Sequence, residues 1–92
     1  MKEIIVDCTG LETPGQLHEK LKTALSFPEW YGNNLDALFD CLCEAEAILT
    51  LQGWQTLGAW FEGFRLTFLD AAQENPMFTY KECWVCLKKR RY

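Results

Sequence analysis

Ser26-Phe27-Pro28-Glu29-Trp30-Tyr31-Gly32-Asn33-Asn34-Leu35-Asp36-Ala37-Leu38-Phe39-Asp40-Cys41-Leu42 is the stretch from which the rest of the chain can be read. Its first nine residues form a loop. Pro28 disfavours a helical residue before it. Gly32 can take backbone conformations closed to other residues and lets another chain approach closely. Asn33 or Asn34 can cap the following helix by accepting a hydrogen bond from one of its free N–H groups. Leu35, Leu38, Phe39 and Leu42 then recur at helical spacing, so a helix with one apolar stripe is expected from Leu35 to about Glu44.

Upstream, Thr13-Pro14-Gly15-Gln16 carries a helix start. Thr13 can cap, Pro14 suits the first helical position and Gln16 can close a capping box. Leu17, Leu21, Ala24 and Leu25 continue that helix until the loop. Before it, Ile4-Ile5-Val6 is a short apolar run, which predicts a strand buried on both faces. Downstream, Ala47 to Leu51 reads as a second strand, ended by Gly53. A helical region from about Trp54 to Asn75, broken near Gly58, places Phe61, Phe64, Phe68 and Ala71 on one face, and Pro76 ends it. Phe78 to Leu87 contains a last strand, with Cys83-Trp84-Val85-Cys86-Leu87 as its buried part. Connections this long and helical favour parallel strands with right-handed crossovers. The expected fold is a single α/β domain over residues 1–92: a three-stranded parallel sheet packed with three to four helices.

Composition narrows the function. The 92 residues are 49% hydrophobic and 24% charged, enough for one core and too few for two domains. No stretch is apolar for long enough to cross a bilayer. Met1-Lys2-Glu3-Ile4 lacks a secretory signature, which predicts a cytoplasmic chain. The formal net charge is −4. Setting aside the basic run Lys88-Lys89-Arg90-Arg91 leaves five basic against thirteen acidic residues, a balance of −8. Such a body repels nucleic acid and attracts basic surfaces; the basic run itself reads as a solvated end. Cys8, Cys41, Cys43, Cys83 and Cys86 are odd in number, which argues against a disulfide framework. Cys83 and Cys86 match C-x-x-C, but in a strand an offset of three points them to opposite faces. They read as structural thiols, not a redox or zinc pair, and no cofactor or metal is expected.

Asp36 and Asp40 lie one helical turn apart, on the side away from the Leu35, Leu38 and Leu42 stripe, and Glu44 continues that side. Like charges at this spacing destabilise a helix by a few tenths of a kcal/mol. Asp36 recovers some of this from the helix N-terminus; Asp40 recovers less. An acidic stripe is ordinarily just a solvated face, but here aromatic Trp30 and Tyr31 precede it, and aromatics anchor interfaces. Tyr31 itself reads as a core residue, whereas Phe39 lies between the core stripe and the acidic side.

At this point the sequence resembles the barstar family of ribonuclease inhibitors. The resemblance is carried by Leu17-His18-x-x-Leu21 and by the run from Leu25 to Leu42. It implies an intracellular bacterial immunity protein that neutralises a toxin nuclease by binding and has no catalytic residues. Its partner would be a basic, barnase-like ribonuclease or a related toxin nuclease, bound one to one, with no nucleic acid or membrane contacted directly. In that reading the loop and acidic helix take the place of RNA phosphates. Asp40 would be the central anion, Asp36 a second one, and Trp30 would cover the catalytic histidine. Gly32, Asn34, Leu35 and Phe39 would surround them, with Cys43 and Glu44 near the helix end and Asp70 on the later helix. The segment from Trp54 to Asp70 is shorter than in the family prototype, and the Lys88 to Arg91 run is additional.

Two other readings remain. A regulatory interaction module would keep the fold and bind a non-nuclease protein. An enzyme would use Asp36 and Asp40 as an acid/base pair or metal site, but both are expected on a convex helix and not in a pocket. The only histidine, His18, is expected on the surface of another helix.

Overall fold

The computed structural model describes residues 2–83. The chain runs β1 (Lys2–Asp7), α1 (Pro14–Leu25), α2 (Leu35–Leu42), β2 (Ala47–Gln52), a short 3-10 turn (Trp54–Thr56), α3 (Phe61–Glu74) and β3 (Phe78–Cys83). The three strands form one sheet in the order β1-β2-β3, and both pairings are parallel. This is the expected α/β fold, with three α-helices. No helix of the described residues is long and apolar enough to cross a membrane.

The local signals account for the element ends. Thr13 caps α1, accepting from the Gln16 N–H, while the Gln16 side chain returns to the Thr13 N–H, so the capping box is complete. α1 stops at Ser26, which takes the left-handed conformation with φ 58°. Asn75 closes α3 with extended backbone, as the following Pro76 requires.

Register explains the core. Ile4, Leu49 and Tyr80 are neighbours across the sheet, and in the next row Ala47 and Phe78 are buried beside exposed Lys2. Val6, Leu49, Leu51 and Phe78 pack against Leu17 and Leu21 of α1, Leu38 and Leu42 of α2, and Phe61, Phe64, Phe68 and Ala71 of α3. This core lies against one face of the sheet, which corrects the expectation for β1. Val6 is buried, but Ile5 is 63% exposed. A three-residue apolar run does not reveal whether one face is packed or two, and here β1 alternates.

The described last strand is built from Phe78 and half-buried Tyr80, before the Cys83 run. Cys83 ends it half-buried; Trp84 to Leu87, with Cys86 and the Lys88 to Arg91 run, lie outside the described residues. α3 is also pinned to β3 by a group that sequence reading missed. The Arg65 guanidinium donates from Nε and a terminal nitrogen to the two Glu82 carboxylate oxygens, at 2.6 and 3.0 Å. It also lies over the Trp54 ring, 4.6 Å from its centroid.

Candidate partner-docking face

α2 is placed by its cap. The Asn34 side-chain oxygen accepts from the Ala37 N–H at 2.8 Å, so of the two candidate asparagines Asn34 does the capping. Asn33 instead takes the left-handed backbone, φ 53°, and its amide donates to Glu19 at 2.9 Å. That is not the role foreseen for Gly32, whose φ lies outside this region. What restricts position 32 is space: a Cβ there would come within 3.0 Å of Asn34 Nδ2. Replacing Asn34 by Ala is expected to lower stability by about 1 kcal/mol, read from urea unfolding, whereas Asn34→Ser retains most of it.

Behind the loop sits His18, and its position overturns the surface assignment. His18 is 4% exposed. Its Nδ1 lies 2.6 Å from the Tyr31 hydroxyl, and its ring packs 4.6 Å from Phe64. Helical spacing put His18 beside the core-facing Leu17 and Leu21, but only Tyr31, thirteen residues later, provides the polar partner that makes burial tolerable. Tyr31 is buried as expected. It therefore ties the loop to the core and leaves Trp30, 66% exposed, projecting outward.

Burial holds the His18 pKa below its ordinary value of 6.5, and nearby Glu19 only partly opposes this. The unfolded chain therefore takes up the proton first as pH falls. Stability from neutral His18 is complete above pH 6.5 and is lost as pH falls through the folded value. The protonated ring can only donate at Nδ1, and its charge would sit between Tyr31 and Phe64. Unfolding midpoints are expected to decline from about pH 7.5 to about pH 5. In His18→Gln the decline over this window is expected to flatten.

The acidic residues stand as follows. Asp36 and Asp40 are exposed on α2. Among the described residues neither takes part in an ion pair; Arg65, with Glu62 and Glu82, makes the salt bridges found there. Leu35 and Phe39 are half-buried against the core, and Gly32 and Asn34 are exposed. α2 ends at Leu42, sooner than expected, with Cys43 as its C-cap. Glu44 thus lies in the turn beyond the helix, where its N–H donates to the Cys41 carbonyl at 3.2 Å. Glu44 is exposed there and lines one surface hollow together with Trp30.

α3 runs beside α2 in the same direction. Gly63 sits against Leu35 at one end, and the Asn75 amide donates to the Leu42 and Ala45 carbonyls at the other, at 2.9 and 2.8 Å. Asp70 is exposed on α3. The carboxylate that reaches the end of α2 is Glu74, four residues further on, which sequence reading passed over. Desolvation pushes the Cys43 thiol pKa up, and the charges of Glu74, Asp40 and Glu44 push it further. The pairing of Asp70 with Glu74 at helical spacing was the available signal. Among the described residues no group of three or more His, Cys, Asp or Glu could hold a metal ion. The Cys8 thiol is pushed up to about 11 by burial, which makes it unreactive.

Comparison with known proteins adds the decisive observation. The model of the family described as Barstar (barnase inhibitor) matches residues 1–80. This chain belongs to the barstar family. A curated relative from Bacillus subtilis (strain 168), named "Putative ribonuclease inhibitor YrdF", is 35% identical over 77 residues, covering 80% of this chain and 85% of that protein. In this barstar-family chain, the match spans the whole loop, α2 and the α3 flank that carries Glu74.

Proposed function

We propose that this chain is a ribonuclease inhibitor that acts by binding. The loop before α2 and the acidic face of α2 enter the basic active site of a partner nuclease in place of RNA phosphates. Family membership, as a barnase inhibitor, supports the role. The single observation that carries the docking mode is the pair Asp36 and Asp40, exposed one turn apart and unbridged among the described residues.

The chemistry is consistent. A ribonuclease site concentrates Lys, Arg and His to hold phosphate. Carboxylates on a capped helix offer a pre-arranged polyanion, so little side-chain freedom is lost on docking. Carboxylate–Arg pairing is charge-assisted and often bidentate. Trp30 lies over the catalytic histidine, and Gly32, Asn34, Leu35, Phe39, Cys43 and Glu44 surround the contact, with Asp70 at its α3 side. The partner is a barnase-like or related toxin nuclease, bound one to one in the bacterial cytoplasm, where immunity to such a nuclease is needed.

The test is inhibition of purified barnase, with the association rate followed over rising salt. We expect inhibition at one equivalent and an association rate that falls by about tenfold or more between roughly 50 and 500 mM salt. An association rate indifferent to salt would remove the electrostatic docking mode. No inhibition of barnase, together with capture of a different nuclease from the native lysate, would move the proposal to that nuclease.

A further inference from the structure

Beside Trp30, between the end of α1 and the turn after α2, the surface encloses a hollow of about 220 Å³. Its half-buried residues Leu25, Phe27 and Ala45 pack against the core and make an apolar floor. Half-buried Cys41 forms one wall, and exposed Trp30 and Glu44 form the rim. We propose that this hollow receives an arginine side chain of the docked partner. This rests on reading the loop and α2 as the docking face, and it names a contact that Asp36 and Asp40 do not make.

The match is chemical. An arginine's methylene stem covers an apolar floor, its flat guanidinium stacks on an indole ring, and its fork meets a carboxylate. The hollow supplies all three, in Leu25, Phe27 and Ala45, in Trp30, and in Glu44. A lysine would offer a point charge without the stacking plane. An aromatic side chain would bury the Glu44 carboxylate without a partner, which is costly. The field inside is negative: the Cys41 thiol pKa is raised by burial first and then by the charges of Asp40 and Glu44. Among the described residues Glu44 has no ion-pair partner, and Arg65, which makes the salt bridges found there, lies on α3 with its carboxylates at Glu62 and Glu82. α2 ends at Leu42, and Glu44 in the turn beyond it lines the hollow with Trp30.

The experiment titrates the full chain with arginine amide and follows the Trp30 indole N–H by NMR, with lysine amide as comparator. We expect a saturable shift in the millimolar range for arginine amide, a weaker one for lysine amide, and roughly tenfold weaker binding in Glu44→Gln. In parallel, inhibition of the nuclease is compared for Glu44→Gln and Glu46→Gln, the second removing an equal charge from an exposed residue outside the hollow. Glu44→Gln is expected to weaken inhibition several-fold more. Equal losses in the two variants, or an arginine amide shift that does not saturate or survives Glu44→Gln, would overturn the inference. If those failures occur while Asp40→Ala still abolishes tight inhibition, the docking reading stands without the arginine site. If Asp40→Ala leaves inhibition intact, the docking reading fails, and the partner arginine fails with it.

Discussion

Asp40→Ala is expected to weaken nuclease binding by at least about 2 kcal/mol, on the order of 30-fold, with most of the change in the dissociation rate. Asp40 is exposed in the middle of α2, flanked by Asp36 one turn earlier and by Glu44 and Glu74 near the helix end. In the docked state proposed above its carboxylate would face guanidinium and imidazole groups that normally hold phosphate, and its removal would leave those cations desolvated and unpaired. Asp36→Ala is expected to cost less, because the helix N-terminus already shares that charge. The variant should fold as well as the parent, since relieving like-charge repulsion within α2 compensates for the lost side chain. A titration of barnase activity against each variant checks this. Equal affinity for Asp40→Ala and the parent would show that another surface meets the nuclease.

Phe64→Ala is expected to destabilise the fold by about 3–5 kcal/mol, a large share of what a domain of this size possesses. Phe64 is 2% exposed. Its ring meets His18 at 4.6 Å, Trp60 at 5.7 Å and Phe68 at 6.4 Å. The loss therefore opens a cavity among three elements and also loosens the ring that backs His18 and, through it, Tyr31. Urea unfolding measures the first effect. The second appears as weaker nuclease binding even in the fraction that remains folded. Leu66→Ala on the same helix, at a position 55% exposed, is expected to stay within about 0.5 kcal/mol of the parent.

These cases show which features sequence could reveal. The capping box at Thr13 and Gln16, the Asn34 cap and the three- and four-residue spacing of the α3 aromatics Phe61, Phe64 and Phe68 are local, so neighbours along the chain suffice to read them. The parallel sheet follows from the length of the helical connections. The burial of His18 depends on Tyr31, the Arg65 fork on Glu82, and the one-sided packing of β1 on where every helix settles. None of these pairings leaves a trace at short spacing. The acidic face was legible at Asp36 and Asp40 for the same local reason, while Glu74 required knowing that α2 and α3 lie side by side. The end of α2 comes at Leu42, two residues before Glu44, the kind of boundary that propensity fixes least well.

Asn75 binds the tail of α2 to the tail of α3, giving its amide protons to the Leu42 and Ala45 carbonyls while its own oxygen accepts from the Met77 N–H at 2.9 Å. One buried amide thus does for two helix ends what a longer helix would have done with its own backbone. α2, at eight residues, is too brief to be stable alone, and its end is held by Asn75, 33 positions after Leu42. The proposed recognition therefore has a hidden dependency. A change at Asn75, just past the end of α3, is expected to make α2 fray, and in the docking proposed above the partner would then meet a surface it first has to assemble.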